Sequence, residues 1–291
     1  MRALITGASG LLGSYLLKTA DKADAVLGTF LIHPVKDGKR MNILLPEDIS
    51  PIFSDFKPEV VIHCAAESRA DFAERKPYQT RQSNIEGVLN ILREARKYKS
   101  YVVFISSNAV FDGEYPPYRE SDERYPINEY GRIKRDAEDI VFDYPFRSLV
   151  IRPIFLYGWV GKGIRRNMDT RIIETLRRGE EMKVATDILT QPTYALDLAN
   201  TIWALIKENR EGIFNVSSNI KMSLYDFSIL VADTFELKKE LIKPCKAEIF
   251  KTLAVRPKDT CYDTKKISDM GLFLRGPLLG LKAMREENDA A

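Results

Sequence analysis

Histidine is almost absent from this 291-residue chain, with two in all, and cysteine is nearly as scarce, with three. Cys64, Cys245 and Cys261 are an odd, scattered set, which argues against a disulfide framework and reads as reduced thiols in a cytoplasmic setting. Apart from the adjacent His63 and Cys64 no Cys or His stands at metal-ligand spacing from another, so neither a structural zinc site nor any other bound metal is expected. No run of about eighteen apolar residues occurs, which removes a membrane-spanning helix and a membrane partner. Charge of one sign is not in excess either: 44 Lys plus Arg stand against 41 Asp plus Glu, a net charge of +3. Such a balance gives no surface for wrapping nucleic acid. Internal repeats and low-complexity tracts are missing, and Met1-Arg2-Ala3-Leu4-Ile5 shows no signal-peptide apolar region.

What is there is an ordinary globular composition, 45% hydrophobic and 29% charged. The length suits one large α/β domain or two smaller ones. Short β-branched runs at Ala3–Thr6, Ala25–Phe30, Val60–Cys64, Tyr101–Ser106 and Ser148–Arg152 alternate with helix-period stretches that begin near Leu11, Glu47, Tyr78 and Glu129. That alternation implies right-handed βαβ units and a doubly wound parallel sheet, an α/β Rossmann fold. Val60-Val61-Ile62 and Val102-Val103-Phe104-Ile105 are nearly continuous apolar runs, as strands covered on both faces require. Residues 1–153 therefore read as a dinucleotide-binding domain and 154–291 as a smaller, partly interleaved substrate lobe, with part of 185–216 returning to the first. In that second region the pattern predicts helices over Met168–Arg178 and Tyr194–Glu208 and a strand at Ile213–Val216. A helix capped by Ser223 follows over Leu224–Phe235, with short elements near Ile249, Thr264 and Leu278.

The first strand runs into Thr6-Gly7-Ala8-Ser9-Gly10-Leu11-Leu12-Gly13 and so opens the first helix. Gly7 permits a tight turn, Gly10 a close approach of backbone to a pyrophosphate, and Gly13 close packing of helix on strand. The helix N-terminus offers unpaired N–H groups and a positive dipole end to phosphates. Glycine-rich turns are common punctuation; position at the first strand–helix junction favours the dinucleotide reading. The second strand ends Gly28-Thr29-Phe30-Leu31-Ile32-His33, without the acid that would bind a ribose 2′-hydroxyl, and Lys36, Lys39 and Arg40 lie nearby. NADP(H) is therefore favoured, with NAD(H) kept open.

Tyr130-Gly131-Arg132-Ile133-Lys134 places a phenol and an ammonium one helical turn apart, on one face. A neighbouring cation is expected to lower the phenol pKa and suit it to proton transfer at a carbonyl or carbinol oxygen. Tyr-x-x-x-Lys alone is a frequent coincidence among 13 tyrosines. Upstream, the strand Tyr101–Ser106 leads into Ser107-Asn108-Ala109-Val110-Phe111-Asp112-Gly113. Ligands of doubly wound sheets sit beyond such carboxyl ends, where a serine can hydrogen-bond the reacting oxygen. The three signals occur in one order and one context, which gives them weight together.

The glycine loop, Ser107 in SSNAVFDG, and YGRIK resemble the extended short-chain dehydrogenase/reductase superfamily. VIHCAAES, RPIFLYG, QPTYALDLA and RPKDTCYDTKKI narrow the resemblance to the dTDP-4-dehydrorhamnose reductase family, over Thr6 to about Leu272. The resemblance implies Tyr130 as catalytic acid/base, Lys134 as its partner and ribose ligand, and Ser107 as the group orienting the substrate carbonyl. It implies cofactor contacts from Gly7, Gly10, Leu11, Leu12, Gly13, Asn42, Ile43, Ala65, Ala66, Glu67, Pro153 and Ile154, with Asn84 in support. Asn108 and Arg256 are the implied substrate contacts, and a guanidinium suits a diphosphate because it is planar and bidentate. For Arg256 an exposed loop role weighs about equally. Asn108 and Ala109 stand where the family usually has Asp and Tyr, Phe155 where Trp is frequent, and Tyr15 where some magnesium-dependent dimeric members carry a Glu. Lys162, Arg165 and Arg166 on the loop after Gly158 suit an anionic substrate, although a solvated basic loop is the more common explanation of such a run.

The expected activity is NADP(H)-dependent reduction of a 4-keto nucleotide-sugar by a cytoplasmic protein that forms a homodimer or stays single. GASGLLG, HCAAE and YGRIK are also similar to the regulatory β subunit of methionine adenosyltransferase. A cofactor-holding subunit of a partner enzyme is thus the alternative, with a nucleotide-sugar epimerase or dehydratase as the third.

Overall fold

The computed structural model describes residues 1–289; the last two positions of the second lobe's expected range, 290 and 291, lie outside the described residues. The chain begins β1 (Arg2–Thr6), α1 (Leu11–Thr19), β2 (Ala25–Phe30), β3 (Lys39–Arg40), α2 (Pro46–Phe56) and β4 (Val60–His63). Next come α3 (Ala70–Arg75), α4 (Pro77–Arg81), α5 (Gly87–Tyr98), β5 (Tyr101–Ile105), α6 (Glu129–Phe142) and β6 (Ser148–Pro153). After them follow β7 (Leu156–Tyr157), α7 (Met168–Arg177), β8 (Met182–Ala185), β9 (Leu189–Thr190), β10 (Thr193–Tyr194) and α8 (Ala195–Lys207). The chain ends with β11 (Gly212–Val216), β12 (Met222–Ser223), α9 (Leu224–Thr234), β13 (Ile242–Cys245), α10 (Lys265–Ser268) and α11 (Pro277–Asp289).

Seven strands form one parallel sheet in the order β11-β6-β5-β4-β1-β2-β3. The near-continuous apolar strands are explained by which face each residue serves. Ala3, Ile5, Val60, Ile62, Val103, Leu149 and Ile151 pack against α1 and α8 through Leu12, Leu16, Leu198, Ile202 and Leu205. Leu4, Val61, Val102, Phe104 and Val150 face the other way, against Ile49, Ile52 and Phe53 of α2, Ile91 and Ala95 of α5, and Ala137 and Val141 of α6. Alternation with a period of two, buried on both sides, leaves no polar stripe to read. Each of the Val, Leu, Ile and Phe side chains contributes roughly 1.5–3 kcal/mol on burial.

The chain beyond β6 leaves the sheet and comes back. β11 pairs with β6 from Gly212↔Leu149 to Val216↔Pro153, and α8 lies on α1, where the Trp203 indole donates to the Leu16 carbonyl at 3.2 Å. Three two-stranded ribbons, β7 with β10, β9 with β12 and β8 with β13, build the rest. Tyr157, Tyr194, Phe227, Leu281 and Met284 belong to the same apolar core as α1 and α8. Ser223 does cap α9, and Asp226 completes a capping box with it.

Some elements were not expected from the sequence. α3 is six residues long, too short for a periodic signal. The segment Gln82–Glu86 is a π-helical turn between α4 and α5, a widening that commonly marks functional positions. β3 has two residues. The region near Leu278 is a thirteen-residue helix, α11, whose inward stripe at Leu281 and Met284 is interrupted by Gly280 against the Tyr157 hydroxyl.

Candidate active site

β1, β4, β5 and β6 end side by side, and the segments that follow them line one edge of the sheet. After β1, Gly7 takes φ +67°, and a Cβ there would stand 2.7 Å from the Ala65 nitrogen. A Cβ on Gly13 would come within 2.5 Å of the Gly7 oxygen. Two backbones and a helix therefore meet where only glycine fits. α1 begins after Gly10 with no side chain capping it, so the amides of Leu11 and Leu12 face outward at the positive end of the helix dipole. That bare cradle fits a pyrophosphate.

After β4, the Ala65 amide donates to the Thr6 hydroxyl at 3.2 Å, and Thr6 meets His63 Nδ1 at 2.8 Å. Ala66 is exposed. Glu67 is held by its backbone: its amide donates to Asn84 Oδ1 and its carbonyl accepts from Asn84 Nδ2, both at 2.8 Å. Asn84 sits in the π-turn and is buried, so the widened helix aims this amide at the strand end. The Glu67 carboxylate forks onto Arg69. Burial pushes it up, but Arg69 outweighs that and holds it below the ordinary range.

Asn42 and Ile43 follow β3 in a fixed turn. The Asn42 amide donates to Asp48 at 2.8 Å, and the Ile43 carbonyl accepts from Asn90 at 3.0 Å. Of the cations near β2, Lys39 pairs with Asp55 at 3.5 Å and Arg40 with Asp48 at 4.0 Å. Lys36 is exposed and has no ion-pair partner among the described residues.

Ser107 comes two residues after β5 and is 9% exposed. Its oxygen accepts from the Ala109 amide at 3.2 Å and its hydroxyl donates to Asn108 Oδ1 at 3.3 Å. Asn108 donates onward to the Thr260 hydroxyl, tying this edge to the late RPKDT segment. Asn128 caps α6 by accepting from the Gly131 amide at 2.8 Å, and it donates to the Val255 carbonyl at 2.9 Å. Gly131 lets α6 press on the turn after Ser107, because a Cβ would overlap the Ala109 carbonyl.

Tyr130, partly buried, lies beside Ser107. Burial pushes its phenol up to about 12; the Ser107 hydroxyl pulls it back somewhat and the Glu67 charge adds to the rise. Lys134 is 3% exposed, donates to the Ile105 carbonyl at 2.7 Å, and lies over the Phe104 ring. Burial brings it down to about 8, against the attraction of Glu138. This corrects the expectation that Lys134 depresses the phenol. The ammonium is spent on a backbone carbonyl, and desolvation dominates both groups.

Pro153 and Ile154 close β6, both buried, and Phe155 turns away at φ +39°. Arg256 is half-exposed and already paired with Asp71 of α3 at 3.1 Å, so it is anchored beside the groove rather than free. His63, Thr6, Asp71 and Thr260 were not singled out in the sequence. Thr6, His63 and Thr260 are buried and Asp71 is half-exposed, and each is met by a partner 57 to 185 residues away, which leaves no local pattern. The Glu138–Arg152 pair is another case: 0% and 1% exposed, joined at 2.8 and 2.7 Å, with Ser106 on the same carboxylate. It fixes α6 to β6 directly behind Lys134. Among the described residues no group of three or more His, Cys, Asp or Glu is placed to hold a metal, and no helix is long and apolar enough to cross a membrane.

Comparison with known proteins places this geometry. A family model described as RmlD substrate binding domain matches residues 1–279. The methionine adenosyltransferase 2 subunit beta of Pongo abelii is 31% identical over 291 residues, 97% of this chain and 86% of that protein. A dTDP-4-dehydrorhamnose reductase of Aggregatibacter actinomycetemcomitans is 27% identical, over 91% of this chain and 92% of its own. Among solved structures, the dTDP-4-dehydrorhamnose reductase of Bacillus anthracis in complex with NADP superposes with a TM-score of 0.90 at 27% identity, covering 98% of this chain and 99% of that one.

Proposed function

Because this chain belongs to the RmlD substrate-binding domain family, we propose that it is an NADP(H)-dependent oxidoreductase that reduces a 4-keto nucleotide-sugar, in the manner of a dTDP-4-dehydrorhamnose reductase. The observation that carries this reading is the full-length superposition on an NADP-bound reductase together with Ser107, Tyr130 and Lys134 grouped beyond the end of β5. NADPH, when bound, supplies the hydride. The glycine cradle and the amides of Leu11 and Leu12 would hold its pyrophosphate. Ala65, Ala66 and Glu67 would lie against its ribose and pyrophosphate, Asn42 and Ile43 beside the adenine, and Pro153 and Ile154 would face the nicotinamide amide.

Ser107 donates a hydrogen bond to the carbonyl oxygen and so fixes which atom faces the reducing edge. Tyr130 passes its proton to that oxygen as negative charge develops there. A phenol pushed up to about 12 is protonated near neutral pH, which suits donation and therefore the reductive direction. Lys134, held by Ile105, keeps a cation within the site and supports the ribose. Asn108 contacts the sugar and Arg256, by the groove, the diphosphate.

NADPH absorbance decay with dTDP-, UDP- and GDP-linked 4-keto-sugars tests the proposal; oxidation with one of them is the expected result. A second reading rests on the 31% identity to methionine adenosyltransferase 2 subunit beta and on Asn108 and Ala109 at substrate-facing positions. There the chain holds NADP as a subunit of a partner enzyme. NADPH binding without oxidation on any keto-sugar, with a stoichiometric partner recovered by pull-down, would replace the first reading by the second.

A further inference from the structure

We propose that residues 158–167 form a cationic lid over the phosphates of the bound dinucleotide, closing on it through Lys162 and Arg165. The proposal rests on the NADP(H) reading above and adds a part of the chain to the cofactor site that the glycine-loop pattern does not include.

The loop has a closed neck. Between β7 and α7 the chain leaves at Gly158 and returns at Asn167, and both sides of Gly158 are gripped by the returning end. The Asn167 side chain donates to the Gly158 carbonyl at 2.9 Å, and Asp169 accepts from the Gly158 amide at 3.0 Å. The neck stands on α1: Gly158 at φ +146° leaves space where a Cβ would meet the Tyr15 ring at 3.0 Å, and the Trp159 amide donates to the Tyr15 hydroxyl at 3.1 Å. Ten residues with ends pinched together in this way make a compact surface loop.

Its tip does not point at the Ser107 side. At Gly163, φ +81°, a Cβ would lie 3.5 Å from two atoms of the His33 ring, and His33 follows β2 on the adenosine side. The charge of Arg165 reaches Glu67, after β4. β1, whose end opens α1, lies between β2 and β4 in the sheet, so His33 after β2 and Glu67 after β4 flank the N-terminus of α1, and the loop, footed on Tyr15 of the second turn, reaches towards both. The place it covers is the one the bare helix end reserves for phosphate.

Charge agrees with position. Arg166 is neutralised by Glu174 at 2.5 Å, whereas Lys162 and Arg165 are exposed and have no ion-pair partner among the described residues. The tip from Gly161 to Arg166 carries no acid. Two cations without a close ion-pair partner, on a loop beside a helix N-terminus, attract an anion and repel each other without one. Bound phosphate relieves that repulsion, so the cofactor itself closes the lid.

Trypsin supplies the test, since it cuts after Lys162, Arg165 and Arg166. Cleavage there is expected to slow at least tenfold when NADPH, followed by its own fluorescence, is saturating. The Lys162→Ser/Arg165→Ser double variant is expected to bind NADPH about tenfold more weakly, with an unchanged melting temperature in the absence of nucleotide. Full-rate cleavage of the NADPH-saturated protein, or an unchanged NADPH Kd in the double variant, overturns the lid while leaving the cofactor reading intact. If the loop resists trypsin in both states, the Kd of the variant decides. A wild-type chain that binds no NADPH overturns the cofactor reading, and the lid with it.

Discussion

The ammonium of Lys134 donates to the Ile105 carbonyl oxygen at 2.7 Å, and this bond joins α6 to the end of β5 one helical turn from Tyr130 and two residues from Ser107. The spacing that sets phenol and ammonium on one face thus acts through the strand. Lys134 fixes where α6 crosses β5, and Tyr130 arrives beside Ser107 as a consequence.

Tyr130→Phe removes one oxygen from a ring whose packing stays. NADPH affinity is expected to hold within about twofold, while single-turnover hydride transfer falls by about 10²–10⁴. Stopped-flow absorbance checks both; unchanged transfer would remove Tyr130 from the proton-donor role.

Lys134 ties stability to alkaline pH. Its folded pKa is lowered from 10.5 to about 8, chiefly by burial, so between those values the unfolded chain binds more protons. Stability from this group therefore rises as pH climbs from about 8 towards 10.5, and is least below 8, where the buried amine is charged. Lys134→Met is expected to flatten that rise, read as melting temperature against pH beside the wild type.

Asp169 works in the opposite sense. Burial raises its pKa from 3.8 to about 7, against the pull of the Gly158 amide, so the fold prefers the acid form. Its contribution is fully present below about pH 4 and is lost as pH rises through 7. Asp169→Asn keeps an acceptor for Gly158 and is expected to melt higher than the wild type at pH 8 but not at pH 5. Parallel melting curves at the two pH values would contradict the assignment.

Gly131→Ala tests how closely α6 approaches the turn after Ser107. A methyl would overlap the Ala109 carbonyl, and backbone cannot yield as a flexible side chain does. The expected cost is about 1–3 kcal/mol in urea unfolding, together with lost turnover, since Tyr130 is the preceding residue. A variant with wild-type stability and rate would show that α6 has room to move.

Much of this arrangement was legible residue by residue. The five strands that carry the site end within one residue of where the apolar runs end, because a strand buried on both faces must stop where its apolar residues stop. Glycine spacing marked the cradle, because close backbone contacts at Gly7 and Gly13 exclude a Cβ there. The helix over Ala70–Arg75 and the π-turn holding Asn84 were not legible. The first is shorter than two turns, and the second differs from its neighbours only in where its hydrogen bonds go.

Sequence alone determined the strand–helix alternation, the cradle and the order Ser107, Tyr130, Lys134, all local patterns set by neighbours a few residues away. Tertiary structure alone decided that Lys134 binds a carbonyl rather than the phenol, that Arg256 is held by Asp71, and that the 158–167 loop crosses to His33. Each of these pairs residues far apart in the chain, and desolvation, which sets their charges, exists only once the chain has packed.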